Sequence, residues 1–145
     1  MSAKLLLDME VKRLEEEVIS CKAAATAKGV PLKNELKTLI LDTSIGTVAL
    51  HIRGDRSAAL RKVKNRLRCK EAYLSSPARL RELGAAPGTV HPFRSKIWGL
   101  KHLISKSLLT LKYLTTNSGT LTEYVKFSPV LLLFARDKIV DDFEM

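Results

Sequence analysis

The stretch from Gly84 to Phe93, GAAPGTVHPF, holds residue types that make a binding loop. Its two glycines, two prolines and small side chains suit neither a helix nor a regular strand. Gly88 lets backbone approach a ligand with no side chain in the way. Pro92 fixes the far end of the loop and removes a donor there. The backbone N–H groups between them are of the kind that bind a carbonyl or a developing oxyanion. A plain connector between a helix and a strand is the other reading. A second chemistry lies in LRKVKNRLRCK, where Arg61, Lys62, Lys64, Arg66, Arg68 and Lys70 put six cations into ten residues with no acid among them. That density suits phosphate contact, and a solvated helix face is its alternative.

Other chemistries find no support in the spacing. Cys21 and Cys69 form no C-x-x-C and have no histidine at ligand spacing, so free, buried or half-buried thiols are expected. His51, His91 and His102 are scattered and build no zinc motif. There is no P-loop, no G-x-G-x-x-G after a strand and no G-x-S-x-G elbow. We therefore expect no metal and no cofactor. The RGD at 53–55 reads as a turn between strand and helix rather than as an adhesion motif.

These groups need elements to position them. Residues 3–28 carry Leu7, Val11, Leu14, Val18 and Ala25 at helical steps, acids early and lysines late, with Gly29 and Pro31 as the stop. We expect an amphipathic helix over 1–29. Residues 36–53 alternate around DTSIG and predict a β-hairpin. Ser57 is the expected N-cap of a basic helix over 58–68. EAYLS predicts a short strand, and Ser76-Pro77 starts a helix that stops at Gly84. Strands are expected over 97–104, 111–116 and 121–127, the last two separated by TNSGT. A short buried helix in SPVLLLFA and a closing strand in DKIVDDF complete the order. The fold expected is a single domain over 1–145, mixed α/β (α+β), with a mixed, largely antiparallel sheet or barrel flanked by helices.

A 46% hydrophobic and 28% charged composition is that of a globular chain. The longest apolar run, Val130 to Ala135, is far short of the roughly 20 residues that cross a bilayer. No signal-peptide pattern opens the sequence, and a cytoplasmic location with no membrane partner is expected. The net charge of +10 favours a polyanionic partner such as nucleic acid.

Taken in order, these pieces resemble the YbaK/ProX family of aminoacyl-tRNA deacylases, the editing domain related to prolyl-tRNA synthetase. ELKTLIL resembles its first strand, with Lys37 at the signature lysine. IRGDRSAALRKVKNRL resembles its Gly-Asp turn and basic helix. AYLSSPARLRELGAAPGTVHPF resembles its Ser-Pro helix and G-x-x-x-P loop, here Gly88 to Pro92. TTNSGT resembles the glycine turn near its pocket, and FSPVLLLFARDKIVDDF its closing helix and strand. Each motif alone is weak, and five in the right order are much stronger. The chain departs from the pattern at Ser105, where the family often has aspartate, and at Leu121, where a histidine often follows the glycine turn.

The resemblance implies hydrolysis of the ester joining a mischarged small amino acid, such as alanine on the tRNA for proline, to the 3′ end of tRNA. It implies catalytic roles for Lys37 and Gly88, and substrate binding by Thr89, Val90, His91, Pro92, Ser118, Gly119 and Thr120. Read on its own, His91 is a solvent-facing turn histidine. Arg61, Lys62, Lys64, Arg66 and Arg68 would follow the acceptor-stem phosphates. Besides the tRNA acceptor end, an aminoacyl-tRNA synthetase is an expected partner. The two departures keep a non-catalytic tRNA-binding or synthetase-associated module of the same fold as the alternative.

Overall fold

A computed structural model describes residues 9–13, 21–86, 89–120 and 122–145. Its centre is the alternating segment on either side of DTSIG. β2 (Leu36–Thr43) and β3 (Gly46–Arg53) form the expected hairpin, paired from Leu36↔Arg53 to Thr43↔Gly46. The Thr43 hydroxyl closes the turn, donating to the Gly46 carbonyl at 2.7 Å and accepting from the Ile45 N–H at 3.1 Å. β3 is buried on both faces from Val48 to Ile52, as a central strand must be.

The larger sheet has the order β4-β2-β3-β5-β8, with β4 (Ala72–Leu74), β5 (Lys101–Ser105) and β8 (Lys138–Asp141). The pairs of β2 are antiparallel, whereas β3–β5 and β5–β8 are parallel. On one face Val48, Leu50 and Ile52 pack with Val63 and Leu67 of helix α2 (Leu60–Leu67) and with Phe143. On the other, Ile40 and Ala49 meet Leu80 of α3 (Pro77–Glu82) and Ile97 of α4 (Ser95–Trp98). A smaller antiparallel sheet, β1-β7-β6, consists of β1 (Glu10–Arg13), β7 (Glu123–Phe127) and β6 (Leu114–Asn117). Its Leu114, Val125 and Phe127 pack with Ile104 of the larger sheet and with Phe93. The mixed α/β class is as expected, with the strands divided between two sheets.

The sheets meet at the base of β2. A parallel bridge joins Glu35 to Thr115, and the Thr115 hydroxyl donates to the Glu35 carboxylate at 2.7 Å. The same carboxylate takes two hydrogen bonds from the Lys28 ammonium, at 2.8 and 2.9 Å. Lys28 ends helix α1 (Cys21–Lys28), so one buried ion pair ties α1, β2 and β6 together. Gly54 is set against this point. A Cβ there would fall 2.7 Å from the Glu35 carbonyl, so the Gly-Asp turn needs glycine for close approach.

Four local expectations are corrected. Glu10–Arg13 is an edge strand on β7, not part of a helix over 1–29; only Cys21–Lys28 of that segment is helical among the described residues. The free edge of β7 decided this, a non-local effect that periodicity does not register. Ser57 does not cap α2. Residues 57–59 pair instead with the chain end, through Ala58↔Glu144, Ala59 N–H to Phe143 O and Met145 N–H to Ser57 O, so the helix begins at Leu60. The strand expected over 97–104 starts at Lys101, because Ser95–Trp98 forms a helical turn ended by Gly99. The strand expected over 111–116 is shifted to Leu114–Asn117, after a 3₁₀ turn at Lys106–Thr110. The two Ser-Pro starts hold: Ser76 accepts from the Arg79 N–H, and Ser128 from the Val130 N–H.

Candidate active site

The loop after α3 is built around Thr89. Its hydroxyl accepts from the Ala86 N–H and donates to the Ala86 carbonyl, both at 3.0 Å. Gly88, one of the two expected catalytic positions, lies outside the described residues, as does Leu121. Val90 is buried, and its carbonyl accepts from the Asn117 side-chain amide at 2.9 Å. The Asn117 amide oxygen accepts in turn from the Gly119 N–H at 2.8 Å. One asparagine thus joins the loop to the glycine turn. The turn is closed by the Ser118 N–H on the Glu123 carbonyl and by Thr120 Oγ1, which accepts from the Glu123 N–H. Pro92 is buried at the loop's far end. The structure therefore brings Thr89, Val90, His91 and Pro92 together with Ser118, Gly119 and Thr120. Asn117 was missed in the sequence; its signal was an asparagine two residues before a turn glycine.

His91 is not a solvent-facing turn residue. Its ring meets the Phe93 ring edge-on, with centroids 5.6 Å apart. Burial lowers its pKa to about 4, against the opposing effect of a hydrogen bond with the Asn117 backbone. The Arg94 charge adds to the lowering. At neutral pH this imidazole is uncharged, and its buried Nδ1 has no partner among the described residues.

Lys37 stands opposite Ile52 on β2, and its ammonium donates to the Arg56 carbonyl at 2.8 Å. It thus rests on the Gly-Asp turn, and it has no hydrogen bond to the loop among the described residues. The bridge between Glu35 and Thr115 nevertheless sets β2 beside β6. Lys37 and Asn117 each lie two residues beyond that bridge.

Arg56 also lines a groove of about 590 Å³ with Lys62, Ser105, Ser107 and Glu144. Ser105, at the place of the implied aspartate, is fully buried and accepts from the Phe143 N–H at 3.4 Å. A carboxylate reaches this groove from elsewhere. Glu144 accepts from the Arg53 N–H at 2.8 Å and the Ser107 hydroxyl at 2.7 Å.

Beneath the sheet runs a buried hydrogen-bonded chain. Thr38 Oγ1 lies 2.9 Å from His51 Nδ1, His51 Nε2 lies 2.7 Å from His102 Nδ1, and His102 Nε2 lies 3.0 Å from the Trp98 carbonyl. A carbonyl only accepts, so His102 carries its proton on Nε2 and accepts at Nδ1. His51 then donates from Nε2, and the Thr38 hydroxyl donates to His51 Nδ1. Burial pushes the pKa of both histidines down, which suits two neutral rings. The chain ties Thr38, next to Lys37, to Trp98, which packs on Phe93 at the end of the loop.

The basic helix divides into two sets. Lys62 donates to Asp142 and to the Glu144 backbone carbonyl, both at 2.7 Å, and Arg66 pairs with Asp141 at 3.0 Å. Arg61, Lys64 and Arg68 make no ion pair among the described residues. Arg68, at the helix end, adopts the left-handed conformation with φ 54°.

The sequence model of a family described as the aminoacyl-tRNA editing domain matches residues 15–134. No curated protein sequence matches the chain. Among solved structures, a candidate trans-editing enzyme for prolyl-tRNA synthetase is similar at 23% identity and a TM-score of 0.85, over 94% of this chain and 87% of that one. A hypothetical protein is similar at 23% identity and a TM-score of 0.84, over 98% and 95%. At these identities the structural likeness speaks for the fold. The family match covers the loop, the glycine turn, Lys37 and the basic helix, and on it the chain belongs to the aminoacyl-tRNA editing domain family.

Proposed function

We propose that the chain is an aminoacyl-tRNA deacylase acting in trans, which hydrolyses the ester of a mischarged small amino acid on the 3′ end of tRNA. Alanine on the tRNA for proline is the first candidate. The observation that carries this reading is the union of loop and glycine turn through Asn117, in a chain of the editing-domain family. The name of the similar solved structure supports the same substrate class.

The chemistry asks little of the protein. An aminoacyl ester is already activated, so a placed water, a polarised carbonyl and a held terminal adenosine suffice. The Thr89 N–H is taken by the Ala86 carbonyl at 3.0 Å, so the oxyanion role falls to the Gly88 N–H, and the tRNA ribose oxygen leaves with a proton of the attacking water. Lys37 binds phosphate or orients the ester from β2. His91, neutral at pH 7, takes a hydrogen bond rather than giving up a proton. Buried Val90 helps form a wall that limits side-chain size. One methylene changes binding by only about 1–3 kcal/mol, so such a pocket works by excluding the larger cognate amino acid.

Two observations favour a second reading, a non-catalytic tRNA-binding or synthetase-associated module. The Lys37 ammonium is engaged by the Arg56 carbonyl, and Ser105 stands where an aspartate is implied. Lys37→Ala separates the two readings. Measured side by side, tRNA binding should persist in the variant while hydrolysis is lost. Wild-type protein that binds tRNA but leaves every ester at its spontaneous rate favours the module.

A further inference from the structure

Arg94 follows the loop directly, and its guanidinium lies between two turns. Nη1 is 3.3 Å from the place of a Cβ on Gly84, and Nη2 is 2.7 Å from that of a Cβ on Gly119. Only residues without side chains leave room for it at the second position. Its buried Nε has no hydrogen-bond partner among the described residues. Among the described residues, the side chain makes no ion pair and no hydrogen bond. A guanidinium carries five donors in a planar fork and remains charged at any physiological pH. An interior donor without a partner costs stability, and native structures seldom keep one without a reason. Here the unused donors sit between the loop and the glycine turn, beside the neutral His91 and the bridging Asn117.

We propose that Arg94 is an anion-binding residue of this site and that its ligand is the phosphate of the tRNA's 3′-terminal nucleotide. The inference rests on the reading that an aminoacyl-tRNA 3′ end occupies the site. The chemistry of that end selects the group. The carboxyl of the amino acid is esterified and carries no charge, and its amino group is cationic and repelled by Arg94. The standing negative charges are the phosphodiesters, which match the guanidinium fork. The transient oxyanion of hydrolysis is the other charged oxygen that could meet Arg94, and kinetics distinguish the two.

The test compares 5′-AMP with adenosine by calorimetry on the wild-type protein, Arg94→Met and Arg94→Lys, with a thermal melt of each. We expect wild type to prefer 5′-AMP by about tenfold or more, the worth of one hydrogen bond between charged groups. Arg94→Met should lose that preference while keeping its melting temperature, and Arg94→Lys should recover part of it. With aminoacyl-tRNA as substrate, the Arg94→Met loss should fall on KM and not on kcat. Equal binding of 5′-AMP and adenosine by wild type overturns the proposal. So does an undiminished preference in Arg94→Met, or a loss confined to kcat, which would assign Arg94 to the oxyanion. If Arg94→Met does not fold, Arg94→Gln replaces it. The nucleotide comparison needs no hydrolysis, so failure of the deacylase reading alone leaves this result standing.

Discussion

His91 shows how far a residue's surroundings can move it from what its neighbours in sequence imply. Flanked by Val90 and Pro92 in a glycine-proline loop, it reads as a surface turn residue. Burial and the neighbouring Arg94 charge make it a neutral imidazole instead, against the opposing pull of the Asn117 backbone. Its pKa of about 4 in the folded chain is below the 6.5 of an unhindered histidine. Above 6.5 both states are neutral and the difference adds nothing. Between 6.5 and about 4 the unfolded chain takes up a proton that the folded chain refuses, so stability falls with pH. The slope from this residue is about 1.4 kcal/mol per pH unit. In urea denaturation across that window, His91→Asn should have a shallower pH dependence than wild type by about that amount. Equal slopes would mean that the ring is not held neutral. Thr38, His51 and His102 were equally illegible, because their contacts cross β2, β3 and β5 and appear in no spacing.

At the scale of elements, β2 carries Lys37 and is held at its base by the Lys28–Glu35–Thr115 cluster. The two charged side chains are 2% and 5% exposed, which makes this a buried ion pair rather than a surface one. Burial pushes the Glu35 carboxyl up and the Lys28 ammonium down, and each partner opposes the shift of the other. Removing one member strands a buried charge. Glu35→Ala should cost about 3–5 kcal/mol in chemical denaturation. The double change Lys28→Met with Glu35→Leu should recover most of that loss, since packed apolar groups replace a buried pair with little penalty. A Glu35→Ala cost under about 1 kcal/mol would show that the pair behaves as a solvated one. The hairpin and the Ser-Pro helix starts were legible, because Val48, Leu50 and Ile52 alternate and the Ser76 and Ser128 caps sit at fixed offsets; α2 was legible as a helix but not in its start, which the pairing of residues 57–59 with 143–145 sets. β1 was not legible: its helical period was overridden by the β7 edge, more than a hundred residues later in the chain.

Over the whole molecule, the charge of +10 is not spread evenly over the expected tRNA-binding residues. Asp141 and Asp142 take up Arg66 and Lys62, whereas Arg61, Lys64 and Arg68 make no ion pair among the described residues and are the phosphate contacts we propose. In tRNA binding, replacing any of these three with alanine should reduce the slope of log affinity against log salt by about one. Lys62→Ala and Arg66→Ala should change it less; the reverse order would place the tRNA against β8. That division was hidden in the sequence because the acids lie some 75 to 80 residues from the helix. The loop and the glycine turn could be read as separate motifs, but their junction at Asn117 could not. The central claim is ester hydrolysis at that junction. It is tested most directly by the rate at which the purified protein releases alanine from alanyl-tRNA for proline, beside serine and cysteine on the same tRNA. The account predicts release of one small amino acid well above the spontaneous rate, lost in Lys37→Ala. Spontaneous rates for all three esters, with the tRNA bound, would contradict it.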